Sequence, residues 1–89
     1  MNLDKQNIVA AIKEKVIALA KELDCDASDL QPDDIIPATG LIDSAGLLDL
    51  IAWFETAYDF RIATQDFTID NLGSMDAMAD FLRKSKGLQ

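Results

Sequence analysis

Ser44, preceded by Asp43 in the run Gly40-Leu41-Ile42-Asp43-Ser44, is the residue best placed for chemistry in this 89-residue chain. An acid followed by a hydroxyl at a loop-to-helix junction has a plain structural role, with Ser44 as the helix N-cap. The same position suits a modification. The hydroxyl would be exposed beside free helix amides and the positive end of a dipole, which tolerate a phosphodiester anion. Other chemistry is scarce. The chain has no histidine and a single cysteine, Cys25, so neither a Ser-His-Asp nor a Cys-His nucleophile can be assembled. The four glycines are scattered and form no phosphate-binding loop. Asp24, Asp26 and Ser28 match the early ligands of a calcium loop. The match fails at Asp29, where glycine is needed, and at Ile35, where a bidentate glutamate is needed. A general-acid carboxylate pair would need a cleft that so small a chain can hardly build. A non-catalytic protein is expected.

The elements that must position Ser44 can be read from periodicity. From about Leu3 to Leu23, Val9, Ile12, Val16, Leu19 and Leu23 recur at spacings of three and four, which predicts a long amphipathic helix. Residues 24–42 hold Pro32, Pro37, Gly40 and five aspartates among Leu30, Ile35, Ile36, Leu41 and Ile42. That pattern reads as a long loop pinned to the core. A helix from Ser44 to Tyr58 follows. Its wheel gathers Leu47, Leu50, Ile51, Phe54 and Tyr58 on one face and leaves Ser44, Leu48, Ala52 and Glu55 along a strip outside it, with Asp49 further round. Phe60 and Ile62 are inward anchors, and residues 66–72 form a brief turn stopped at Gly73. Ser74 caps a last helix with Met75, Met78, Ala79 and Leu82 inside, Phe81 at the edge and Lys84 and Lys86 near its end. No strand alternation is present, so the fold class is all-α, in one domain over residues 1–89.

Composition narrows the function. Sixteen acidic against eight basic residues give a formal net charge of −8, which repels nucleic acid and anionic membranes and steers the chain toward basic protein surfaces. No stretch approaches the length of a membrane span, and the N-terminal residues lack a signal-peptide pattern. With its lone cysteine, the chain is expected in the cytoplasm as a monomer.

The segment Gly40 to Ser44, followed by Leu47, Leu50, Ile51, Glu55, Phe60 and Ile62, resembles the acyl carrier protein signature. The order of a long helix, an acidic loop, an Asp-Ser helix, a short helix and a final helix extends that resemblance over nearly the whole chain. It implies a four-helix bundle with a long first loop and a short third helix. It implies that a phosphopantetheinyl transferase moves 4'-phosphopantetheine from coenzyme A onto Ser44, with Asp43 assisting recognition. Acyl or aminoacyl cargo then rides as a thioester between a loading ligase and synthases or transferases with basic docking surfaces, in fatty-acid, polyketide or related biosynthesis. Leu48, Asp49, Ala52 and Glu55 would form the docking face. Ala45 stands where the family usually has leucine or methionine, and Thr56 where it often has an acid. Gly46 should weaken the first helical turn by roughly 0.5–1 kcal/mol. Glycine two places after the serine is also similar to D-alanyl carrier proteins. The rival reading is an acidic helical interaction module in which Ser44 only caps its helix.

Overall fold

The computed structural model describes residues 3–87, and among them every regular element is helical. The order is α1 (Lys5–Lys21), α2 (Ile36–Thr39), α3 (Ser44–Ala57), a 3₁₀ turn (Thr64–Asp66), α4 (Ile69–Leu72) and α5 (Met75–Ser85). Helix α1 packs against both α3 and α5, and α4 packs against α5. The expected all-α bundle is present, with one addition. The long first loop contains the single turn α2, with Pro37 in its first turn and Gly40 ending it at a φ of 72°.

The core stripe of α1 runs Ile8, Ile12, Val16, Leu19 and Ala20. Two expected members are displaced from it. Val9 is half-buried, because the helix turns Ile8 rather than Val9 into line with Ile12 and Val16. Leu23 is 45% exposed, because the helix stops before it. The stop is a left-handed turn at Asp24 (φ 57°) closed by Cys25 N–H donating to Ala20 O at 2.9 Å. Helix α3 ends in the same way, with Asp59 at φ 51° and Phe60 N–H donating to Glu55 O at 3.1 Å. Both ends have the Schellman arrangement, with aspartate where glycine is usual and a partly buried Cys25 or Phe60 packed on the core just beyond.

Leu50, Phe54 and Tyr58 form the buried face of α3, while Leu47 and Ile51, expected inside, are half-buried at its edge. Phe54 is fully inaccessible, and its ring meets those of Tyr58 at 5.4 Å and Phe60 at 5.3 Å in edge-on geometry. On α5 the stripe Met75, Met78, Ala79 and Leu82 is buried as its spacing predicts, and Ser74 Oγ accepts from Ala77 N–H at 3.1 Å as the cap.

The first loop is tied down at two levels. Ala27, Leu30, Ile36 and Ile42 insert into the core. Its backbone also bonds to the junction of α4 and α5, where Ile36 N–H donates to Gly73 O at 2.7 Å and Asp76 N–H donates to Pro32 O at 2.9 Å. Gly73 allows that junction, because a Cβ there would lie 2.5 Å from Ile69 O.

Candidate functional site

The start of α3 differs from the sequence expectation in one consequential way. Asp43, not Ser44, is the N-cap, and its Oδ1 accepts from Gly46 N–H at 2.7 Å. The cap backbone also accepts, with Leu47 N–H donating to Asp43 O at 2.9 Å. Ser44 is therefore the first residue inside the helix. Its side chain is exposed and its hydroxyl makes no hydrogen bond among the described residues. The rival reading needs Ser44 as the cap, and Asp43 already holds that position.

Gly46 explains how the cap closes. A Cβ at that position would lie 3.2 Å from both Asp43 Oδ1 and Ile42 Cβ, tighter than ordinary contact. The expected cost of Gly46 in helix propensity is thus offset by the room it gives the Asp43 carboxylate. Ile42, just before the cap, is buried, so the backbone is anchored two residues from Ser44.

Along the outer face of α3, Ser44, Leu48, Asp49 and Ala52 are all exposed, and Leu48 is the most exposed large apolar side chain among the described residues at 66%. Glu55 is placed differently. It is half-buried, and its Oε2 accepts from Ile62 N–H at 2.7 Å, which ties the end of α3 to the following connection. A single carboxylate here anchors the buried Ile62 and borders the outer face.

Leu48 also borders an apolar cleft of about 260 Å³ shared with Pro37, Leu47, Ile51, Phe67 and Ile69. Phe67 and Ile69 are exposed at 47% and 60%. Sequence reasoning missed these two because α4 is a single turn, too short to show a periodicity, yet two large apolar residues beside a turn were a usable signal. In the acidic loop, Asp26 Oδ1 accepts from Ser28 N–H at 2.9 Å, which holds the Asp26 carboxyl below its ordinary range. These residues make an Asx turn.

A rigid helical bundle that displays one unpaired hydroxyl beside a capped helix start is a platform for a covalently attached group. The family model described as the phosphopantetheine attachment site matches residues 16–82. A D-alanyl carrier protein of Streptococcus sanguinis is 31% identical over 70 residues, covering 78% of this chain and 87% of the relative. One from Streptococcus thermophilus is 30% identical over 70 residues with the same coverage. No solved structure matches significantly. The chain belongs to the phosphopantetheine-binding carrier protein family. It is a non-catalytic carrier, a substrate of other enzymes, and its cofactor is covalent 4'-phosphopantetheine.

Proposed function

We propose that Ser44 Oγ is the attachment point, and that the protein carries an aminoacyl group, D-alanyl or similar, between a loading ligase and an acceptor enzyme. The single observation that carries the attachment is the division of labour at the helix start. Asp43 takes the cap, so the Ser44 hydroxyl is exposed with no partner inside the protein. The surroundings fit the group. The Ser44 and Ala45 N–H groups have no acceptor among the described residues, and they can face the phosphodiester without competition from the helix.

Attachment forms a bond from Ser44 Oγ to the pantetheine-bearing phosphorus of coenzyme A, breaks its pyrophosphate linkage and releases 3',5'-ADP. The hydroxyl proton passes to a base of the transferase. Once bound, the group supplies a terminal thiol that holds cargo as a thioester. The protein's own part is to fix the base of the arm, through the Ile42 anchor and the Asp43 cap, and to present a docking face. Leu48, Asp49 and Ala52 supply that face, with Glu55 at its far border, and the net charge of −8 steers basic enzyme surfaces toward it. Partners of this kind use coenzyme A and aminoacyl ligases, so we place the protein in the cytoplasm.

The aminoacyl reading is favoured by the named relatives, which are D-alanyl carrier proteins. A fatty-acyl or polyketide cargo is the second reading, favoured by the apolar cleft beside Leu48. Intact mass after incubation with coenzyme A, magnesium and a phosphopantetheinyl transferase tests the attachment. One adduct is expected, absent in Ser44→Ala, and an adduct that persists in that variant refutes the assignment. Supplying the modified protein to a D-alanine-activating ligase and to an acyltransferase then separates the two cargoes.

A further inference from the structure

Glu55 stands at the foot of the apolar cleft beside Leu48. It follows Ile51 by one helical turn and Leu48 by two, so the three side chains share one strip of α3. Leu48 and Ile51 belong to the α3 wall of the cleft, and Phe67 and Ile69 to the opposite wall. Phe67 and Ile69 are exposed, so burial does little to fix them. Their position comes through the backbone instead. Asp66 N–H donates to Ala63 O at 2.9 Å, Phe67 N–H to Thr64 O at 3.1 Å and Thr68 N–H to Asp66 O at 2.9 Å. Residues 63–68 therefore move as one unit. That unit begins one residue after Ile62, whose N–H donates to Glu55 Oε2 at 2.7 Å. Among the described residues this is the only hydrogen bond between α3 and residues 61–72.

We propose that Glu55 is a positioning residue for the cleft: through Ile62 it sets where Phe67 and Ile69 stand, and so what the cleft admits. The coupling is a property of the bundle itself, whatever Ser44 carries. Removing the carboxylate leaves a part-buried donor at Ile62, which the connection relieves by moving outward to water. The Ile62 side chain stays packed in the core, so the expected motion is a shift of the wall and not its loss. The effect runs both ways, because linked equilibria are reciprocal. An apolar molecule in the cleft fixes the wall and tightens the Glu55 bond. Occupancy of the cleft is thus felt at a carboxylate on the border of the outer face of α3.

The test uses the full chain in its apo form, with hexanol as the apolar probe and NMR as the readout. In Glu55→Ala, amide exchange at Ile62 should be about tenfold faster than in the parent, with exchange at Phe54 reporting any change in global opening. The Phe67 ring and Ile69 methyl resonances should shift, and hexanol should bind about fivefold less tightly. Glu55→Gln loses the charge but keeps an oxygen that accepts from Ile62 N–H, and it should restore parent values for all three. Lys86→Ala removes the side-chain tie to Asp59 O, near the start of the same connection, and should leave the cleft resonances in place. In the parent and in Glu55→Gln, saturating hexanol should slow exchange at Ile62 about threefold, and in Glu55→Ala it should not. Parent-like cleft resonances and hexanol binding in Glu55→Ala, with Ile62 exchange accelerated, would reduce Glu55 to a local tie and overturn the proposal. So would a Glu55→Gln variant that behaves like the alanine one, or equal changes in the cleft with Lys86→Ala. A parent that binds no hexanol would overturn it too, since the cleft would then admit nothing for Glu55 to control.

Discussion

Replacing Asp43 by alanine and, separately, by asparagine distinguishes its cap from its charge. The cap is one hydrogen bond, from Gly46 N–H to Asp43 Oδ1 at 2.7 Å, on an exposed helix end. Losing such a cap to alanine costs about 1 kcal/mol, within a range of about 0.5–2. At 0.05–0.15 kcal/mol per residue, a chain of this length has roughly 4–13 kcal/mol in total. The alanine variant should therefore stay folded and melt about 4–8 °C lower. Asparagine caps about as well as aspartate, so Asp43→Asn should fall within about 0.5 kcal/mol of the parent, the residue of its lost charge at the helix N-terminus. The functional readout should follow the cap. Without Asp43, the next residue able to cap α3 is Ser44, and a hydroxyl folded back onto helix amides is no longer free to react. At about 1 M salt, where the Debye length is about 3 Å, charge steering is suppressed. Under those conditions Asp43→Asn should be phosphopantetheinylated nearly as fast as the parent, and Asp43→Ala about tenfold more slowly. Thermal melts and timed intact-mass spectra give both numbers. Equal melting points for the two variants, or full-rate modification of the alanine variant, would refute the capping argument.

Two further outcomes follow from the core. Phe54→Ala should cost about 3–5 kcal/mol in urea melts, because the ring is fully buried against Tyr58 and Phe60, while Asp49→Ala on the exposed face should cost well under about 1 kcal/mol. Comparable losses would mean that the register of α3 is wrong. Stability should also fall at alkaline pH. Burial raises the Tyr58 phenol above its ordinary value of 10.0, and the Asp80 hydrogen bond raises Lys5 above 10.5. In both cases the protonated form is favoured by folding, so the contribution is complete below the unfolded value and is lost as pH rises through the folded one. Lys5 is surface-exposed and adds little, so Tyr58→Phe should flatten most of the decline above about pH 10 in melts collected across that range.

Legibility in the sequence tracked element length. The helices α1, α3 and α5 are long enough for apolar spacing to specify a face, and the buried stripe of α5 is the one the pattern names. A stripe read at 100° per residue fixes the face to within one position, which is why Ile8 stands where Val9 was expected and why Leu47 and Ile51 sit at an edge. The single turns α2 and α4, four residues each, barely complete one 3.6-residue period of the signal. Both Schellman ends were hidden for a different reason, since aspartate at positions 24 and 59 occupies the left-handed position that glycine usually marks. The Asp-Ser pair was legible as a site, but which of the two residues caps was not. Capping depends on where helical dihedrals begin, and a shift of one residue exchanges the roles. Glu55 illustrates a similar limit: its wheel position is near the outer face, and only the path of the connection brings Ile62 N–H to its carboxylate.

A carrier must hold the base of its arm still while the tip travels, and the distribution of order around Ser44 meets that requirement. The loop before α3 is stitched to the α4–α5 junction by Ile36 and Pro32, so it is held from the far end of the chain as well as by its neighbours in sequence. Thr39 Oγ1 then donates to Ile36 O at 2.7 Å and accepts from Leu41 N–H at 3.2 Å, carrying that order across Gly40. Ile42 enters the core, Asp43 closes the cap, and Gly46 leaves the space that the closed cap occupies. Every fixed contact in this series is made by a residue other than Ser44. The serine inherits its position from both sides and keeps its oxygen unengaged. Rigidity of the backbone and freedom of the hydroxyl are thus supplied by different residues, which allows one exposed side chain to be both well placed and available.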